Sequence, residues 1–145
     1  MKRQEYIITI QAPQTKVWEI LWGAESYSKW TAVFDPNSRA ETDWKEGSKV
    51  VFLGTGQNGM VSKIVTNNAP HYMAIEHLGI LVEGKEDLDS EHGQAWAGAR
   101  EDYTLKTLNE ATHLTVEIDI AEAHIDSFNK TFPKALQKVK ELAEL

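Results

Sequence analysis

Few residues of this sequence could carry out chemistry, because the chain has five histidines, no cysteine and none of the common catalytic motifs. Without cysteine there can be no disulfide bond, no thiolate metal site and no cysteine nucleophile. The sequence also lacks a Gly-Lys-Ser/Thr phosphate loop, a Gly-x-Ser-x-Gly elbow and a His-Glu-x-x-His helix. Gly54-Thr55-Gly56 has no third glycine at the spacing of a dinucleotide-binding turn, so we interpret it as the tip of a hairpin.

The histidines do not form a metal-binding pattern. His71 and His77 share the parity of one predicted strand, but six residues at about 3.3 Å each put them roughly 20 Å apart. His92 stands beside Glu91 in an acidic segment, residues 83–94, which we interpret as a solvated loop. We therefore expect neither a metal nor a cofactor.

A two-residue hairpin turn at Asn109-Glu110 helps to locate a site more directly. It would pair Leu108 with Ala111 and so fix the register of two strands. In that register the pairs that share one face of the sheet are Leu105–Leu114, Tyr103–Val116 and Glu101–Ile118. The alignment of apolar residues on one face is what a buried face requires. Glu101 is the exception on that face.

The preceding strand supplies a second polar residue to the same face. If the connection is a hairpin symmetric about Asp89, the facing pairs are Met73–Leu105, Ile75–Tyr103 and His77–Glu101. The face would then be apolar except for His77, Glu101 and the Tyr103 hydroxyl, which is the usual form of a small-molecule site. Three roles stay open for His77 and Glu101: a structural pair that satisfies itself in the core, groups that orient a ligand, or an acid–base pair.

The elements that would position these residues follow from hydrophobic periodicity. The predicted strands are 6–10, 39–44, 49–53, 60–66, 71–82, 97–108 and 113–120, and two short helices follow the first of them. One apolar stripe at helical spacing closes the chain: Ile125, Phe128, Phe132, Ala135, Leu136, Val139 and Leu142. Pro133 lies inside that stripe, where it should bend or break the helix. An antiparallel sheet with one apolar face needs a cover, and the long helix is the largest element available.

Composition limits the partners. The 145 residues fit a single α+β domain, 1–145, and the net charge of −7 disfavours nucleic acid and anionic membranes. No segment is apolar over a membrane-spanning length, and the N-terminus has no signal-peptide core, so we expect a cytoplasmic protein without membrane insertion. The charge itself is explained by solubility.

The order of elements and several short motifs resemble the helix-grip fold of the START-like (SRPBCC) superfamily. The branch they resemble is named for the activator of the ninety-kilodalton heat-shock chaperone's ATPase. The residues that carry this resemblance are Ala12-Pro13, Val17-Trp18, Leu21, Trp30, Ala40-Glu41, Asp43-Trp44, Gly47-Ser48, Gly59, Pro70, His77-Leu78-Gly79, Trp96, Glu101, Tyr103 and Leu105. The C-terminal helix departs from the family pattern, with Phe132-Pro133 where many relatives carry a Gly-Trp pair.

The resemblance implies a seven-stranded curved antiparallel sheet wrapped on the long helix, with a cavity between them that can hold lipids, aromatic molecules or polyketides. We therefore expect a binding module for a small apolar or amphipathic molecule, acting as a monomer or weak homodimer. The expected site residues are Met73, Ile75, His77, Glu101, Tyr103, Phe128 and Phe132. A cyclase- or hydratase-type enzyme that uses the same cavity, and a protein-interaction domain that acts on a chaperone, are the alternatives.

The chaperone alternative leads to a negative prediction. The chaperone activator has a separate N-terminal domain that this chain lacks, so we expect the protein alone not to accelerate the chaperone's ATPase. Steady-state ATP hydrolysis by purified chaperone, with and without a stoichiometric amount of this protein, checks it. A clear stimulation at that ratio would overturn the expectation.

Overall fold

The computed structural model describes all 145 residues. Its strands are β1 (Lys2–Ile10), β2 (Arg39–Glu41), β3 (Lys49–Leu53), β4 (Gly59–Asn68), β5 (Tyr72–Val82), β6 (Lys85–Asp87), β7 (Arg100–Leu108) and β8 (Ala111–Ile120). Its helices are α1 (Gln14–Trp22), α2 (Ala24–Thr31), α3 (Glu91–Gln94) and α4 (Ile125–Ala143), with short 3₁₀ turns at Thr55–Gln57 and Glu122–His124.

The strands form one antiparallel sheet in the order β1-β8-β7-β5-β4-β3-β2, with β6 added beside β5. Helices α1 and α2 follow β1, and α4 packs on β1, α1 and α2. The predicted α+β fold, a curved antiparallel sheet held against a long C-terminal helix, is therefore confirmed. The seven predicted strands are all present, and β6 is an eighth that periodicity did not show.

The core lies between the sheet and α4, as the two hydrophobic patterns require. Residues of α4 at helical spacing are buried, namely Phe132, Ala135, Leu136, Val139 and Ala143. Every second residue of β8 is buried on the facing side, namely Thr112, Leu114, Val116, Ile118 and Ile120. Sheet and helix thus bury the same apolar surface from two sides.

Helix α4 runs through Pro133 without interruption, so the predicted break does not occur. A proline inside a helix leaves the carbonyl four residues earlier without its N–H partner. That residue is Asn129, which is exposed like Pro133 itself, so water can supply the missing hydrogen bond. The missing hydrogen bond therefore lies on the solvent-exposed side of the helix and leaves no polar group unpaired in the core.

The predicted register of β7 with β8 is confirmed, including the pairing of Leu108 with Ala111. Asn109 and Glu110 between them have φ angles of 51° and 67°, as a type I′ turn requires.

The predicted register of β5 with β7 is wrong by two residues. Met73 pairs with Tyr103 and Ile75 with Glu101, whereas His77 lies beyond the last paired position. The connection is not a symmetric hairpin, because the segment at 83–94 turns back as β6 along the last three residues of β5 and then forms α3. Since the error is an even number of residues, every side chain keeps its predicted face.

The packing of α4 predicts how much a buried side chain of this helix contributes to the free energy of unfolding. Leu136 is 2% exposed at the centre of the helix's buried stripe, so Leu136→Ala should lower the free energy of unfolding by about 2–5 kcal/mol. Denaturant unfolding followed by circular dichroism measures the change. Gln137→Ala, on the exposed side of the same turn, is the control and should stay within about 0.5 kcal/mol of the parent. A loss for Leu136→Ala as small as that of the control would contradict the packing described here.

Candidate functional site

A cavity of about 280 Å³ opens between the sheet, α2 and α4. Sixteen residues line it, eleven of them hydrophobic. The aromatic members come from every layer of the fold: Tyr27, Trp30, Phe34, Phe52, Trp96, Tyr103, Phe128 and Phe132. Rigid ring walls of this kind leave a fixed space rather than collapsing into it.

Two paired strands hold the histidine of the site. Ser62 on β4 lies directly opposite His77 on β5, next to a β-bulge at Val61/Ser62. The pairing places the Ser62 hydroxyl 2.6 Å from Nδ1 of His77, and both residues are buried. A hydroxyl can donate to or accept from Nδ1, so Ser62 satisfies this nitrogen whether the ring is neutral or protonated.

Glu101 on β7 joins this pair from the other side. Its Oε2 lies 2.9 Å from Nε2 of His77, and its Oε1 accepts a 2.8 Å hydrogen bond from the Tyr103 hydroxyl. Glu101 and Tyr103 are two residues apart on one strand, so their side chains point to the same face. The result is a chain of four polar side chains, Ser62–His77–Glu101–Tyr103, the last three of which line the floor of the mainly apolar cavity. We call it the polar chain.

The environment keeps the Glu101 carboxyl ionised. Burial alone would raise its pKa, but the hydrogen bond and positive charge that His77 supplies, with the Tyr103 hydroxyl, outweigh it and leave the pKa of Glu101 below the ordinary value. Burial and the Glu101 charge together raise the pKa of Tyr103, and the same two causes raise that of Tyr27. The polar chain therefore presents a carboxylate that accepts a hydrogen bond from the protonated Tyr103 hydroxyl, and the Tyr27 hydroxyl, outside the chain, also stays protonated.

Glu101 and His77 both line the cavity, and Glu101 is the more exposed of the two. Its side chain is 18% exposed against 6% for His77, whose two ring nitrogens both have partners. His77 thus holds and orients the carboxylate, and the carboxylate is the group a ligand could meet.

Three phenylalanines form the mouth of the cavity. Phe34, in the loop after α2, lies 5.9 Å from Phe128 and 5.3 Å from Phe132 between ring centroids. Phe132 is held from below by Tyr6, stacked at 4.8 Å, whose hydroxyl donates to Asn129. Phe34 itself is 39% exposed, so one ring of the mouth is free to contact both solvent and a ligand.

Five of the seven residues predicted for the site line the cavity: His77, Glu101, Tyr103, Phe128 and Phe132. Met73 and Ile75 do not, although they lie on the predicted face of β5. Both are fully buried in the core cluster, at the part of the sheet where Tyr103 meets Trp22 of α1. Parity selected the correct face, but it could not show that α1 covers one end of that face and leaves the other open.

Several lining residues were not predicted. Tyr27, Phe34, Phe52, Met60 and Trp96 complete the walls, and Ser62 completes the polar chain. Alternation in the third strand favoured an inward Phe52, since Val50 on the same side is in the core. Phe34 and Trp96 lie in connecting segments, for which periodicity gives no direction.

No three His, Asp or Glu side chains are arranged to hold a metal ion. None of the helices combines the length and the apolar character of a membrane span.

The fold is found in other solved structures. The Aha1 dimer of Colwellia psychrerythraea is 16% identical, with a TM-score of 0.73 over 100% of this chain and 98% of that one. A protein of Cytophaga hutchinsonii is 21% identical, with a TM-score of 0.70 over 99% and 94% of the two chains. This chain has their helix-grip fold. The predicted fold is therefore confirmed.

DynU16, a protein of the dynemicin biosynthetic locus, shares the fold with a TM-score of 0.72 at 12% identity. The match covers 97% of this chain but 46% of DynU16, so the present chain spans about half of that protein's length. No protein-family model matches the sequence, and no curated protein matches it.

The lowered pKa of Glu101 predicts how stability depends on pH. A group whose pKa is lower in the folded chain stabilises that chain above the unfolded value, here 4.5, and the contribution is lost as the pH falls through the folded value. The stability advantage of the parent over Glu101→Gln should therefore be fully present at pH values well above 4.5 and should shrink as the pH falls below 4.5. Urea unfolding across that range measures it.

The control for this titration is Glu5→Gln, which removes an exposed glutamate of β1. Its stability should differ little from that of the parent at every pH. If the parent and Glu101→Gln lose stability in parallel throughout, the carboxylate is not held by the polar chain.

Proposed function

We propose that this protein binds a small hydrophobic or amphipathic molecule between its sheet and its C-terminal helix, with the polar end of the molecule at Glu101. The observation that carries the proposal is an aromatic cavity whose floor contains a carboxyl group hydrogen-bonded to His77 and Tyr103. An isolated buried carboxylate is costly, and a core that needed only packing would place an apolar residue there.

The cavity is of ligand size. Its volume of about 280 Å³ lies just below the range of about 300–1,000 Å³ that is usual for small-molecule sites. Flat ring walls favour a ligand with a flat body, because aromatic faces stack at well-defined distances. A molecule of one or two rings with a polar substituent fits this description.

The polar chain supports binding better than acid–base catalysis. A general base works best with a pKa near the working pH, whereas the pKa of Glu101 is lowered and that of Tyr103 is raised. Both nitrogens of His77 are occupied within the chain, which leaves no free nitrogen to exchange a proton with a ligand. The polar chain is therefore suited to orienting a bound ligand rather than to transferring protons to and from it.

The proposal also bears on the oligomeric state, the cellular compartment and the class of partner. One chain supplies the whole cavity lining, so a monomer or a weak homodimer can bind the ligand. A domain without cysteine needs no oxidising compartment, which favours the cytoplasm. DynU16 belongs to a natural-product locus, and this accords with a small organic ligand rather than a chaperone as the partner.

Binding can be tested with a neutral two-ring probe, 2-naphthylmethanol, followed by calorimetry and by methyl chemical shifts. We expect the largest shifts at the cavity residues Met60 and Ile118, because ring currents act over short distances. Met60→Trp should weaken binding at least about tenfold, since the larger side chain fills space that the probe needs.

Val82→Trp is the matched control, because it adds the same side chain at the exposed end of β5, outside the cavity lining. It should bind the probe as the parent does. The proposal fails if Met60→Trp binds unchanged, or if the shifted methyl groups lie away from the cavity.

A further inference from the structure

We propose that the polar end of the ligand is an amine, bound as its ammonium form by Glu101 and the aromatic rings of the cavity. This rests on the proposed function and adds the chemical class of the ligand. The proposal excludes amphipathic anions as ligands, namely lipid acids, sulfonates and phosphates.

The charges around the cavity are of one sign. No lysine or arginine is among the residues that line it. Asp119 borders the cavity, but its carboxylate is directed outward, where it accepts hydrogen bonds from the Arg3 side chain and from the Arg100 backbone N–H. An anionic group would therefore meet the Glu101 carboxylate with no lysine or arginine beside it to compensate the charge.

His77 does not change this conclusion. If its ring is neutral, Nε2 donates to Glu101, Ser62 donates to Nδ1, and the pair carries one negative charge. If the ring is protonated, the pair is neutral overall, but Glu101 is still its more exposed member. In both states the cavity presents hydrogen-bond acceptors.

The acceptors still have capacity. Each oxygen of Glu101 accepts one hydrogen bond, from His77 or from Tyr103, whereas a carboxylate has about four acceptor positions. Tyr27 also lines the cavity, and its hydroxyl takes part in no hydrogen bond within the protein, so the hydroxyl oxygen is a further acceptor. An ammonium group has three N–H donors, and these positions can receive them.

The rings supply the second half of an ammonium site. Cations bind over aromatic faces within about 6 Å of the ring centre, and the interaction strengthens where water is excluded. The three rings at the mouth lie 5.3–6.3 Å from one another. Together with Tyr27 and Trp30 they line the same cavity as Glu101, so a cation bound at the carboxylate lies in a space walled by aromatic rings.

The test compares three ligands that share one ring system and differ at the polar end: 2-naphthylmethylamine, 2-naphthylmethanol and 2-naphthoate. Calorimetry at neutral pH and moderate salt gives their dissociation constants on the parent protein. We expect the amine to bind at least about tenfold more tightly than the alcohol, and the acid to bind most weakly, because a hydrogen bond to a charged group adds to the shared apolar contact.

Two variants locate the effect. Glu101→Gln keeps the size of the side chain and removes its charge, so it should reduce the preference for the amine over the alcohol to about twofold or less. Glu117→Gln removes one negative charge from the outer face of β8, where Glu117 contacts Arg3, and should leave the preference unchanged.

The outcomes separate the two proposals. If none of the three compounds binds, the proposed function fails. If the alcohol binds in the cavity but the acid matches or exceeds the amine, ligand binding stands and the amine proposal is wrong. An amine preference that persists in Glu101→Gln, or that vanishes in Glu117→Gln, would also overturn it.

Discussion

A carboxylate inside an apolar layer needs hydrogen-bond donors, and in this protein that requirement fixes the arrangement of three strands. Glu101 accepts hydrogen bonds from His77 on β5 and from Tyr103 on its own strand. His77 is held in turn by a hydrogen bond with Ser62 on β4. Losing one partner would leave a buried ion or a buried ring nitrogen unpaired, which costs more than the hydrogen bond contributes. The register of β4, β5 and β7 is thus tied to the chemistry of the site.

The cavity exists because the two faces that meet there are built from large, stiff rings. Helix α4 brings Phe128 and Phe132, and the helix and loop before β2 bring Tyr27, Trp30 and Phe34. Aliphatic side chains could rearrange to fill the space, whereas rings braced against one another leave an opening of defined shape. The other end of the sheet face, under α1, is closed by packing around Met73 and Ile75 in which Trp22 meets Tyr103. One sheet face therefore serves as core at one end and as binding wall at the other.

Periodicity and one turn signal predicted much of this structure. Alternation placed Leu114, Val116 and Ile118 inward, and the turn at Asn109-Glu110 fixed their partners correctly. The meeting of His77 with Glu101 was also predicted, even though the β5–β7 register was wrong by two residues. An error of two positions preserves the face, and the long His77 and Glu101 side chains reach each other diagonally.

The limits of the prediction have equally physical causes. Ser62 gave no sign of its role, since a serine in a strand is unremarkable until its cross-strand neighbour is known. The fold of the acidic segment depends on a local hairpin and on Ser90, whose hydroxyl caps α3 by accepting from the Gly93 N–H. Which part of the sheet a helix covers depends on the angle at which α1 packs, and this angle is not encoded in periodicity.

The account depends most directly on the ionisation of Glu101 in the folded protein. Carbon-13 NMR of a sample labelled at the glutamate side-chain carboxyls, with the Glu101 signal assigned by its loss in Glu101→Gln, follows that group alone through an acid titration. We predict that the signal keeps its carboxylate position down to a pH below the ordinary glutamate value of 4.5. A midpoint at or above 4.5 would show that burial outweighs His77 and Tyr103, and that the cavity floor lacks the charge on which the proposed site rests.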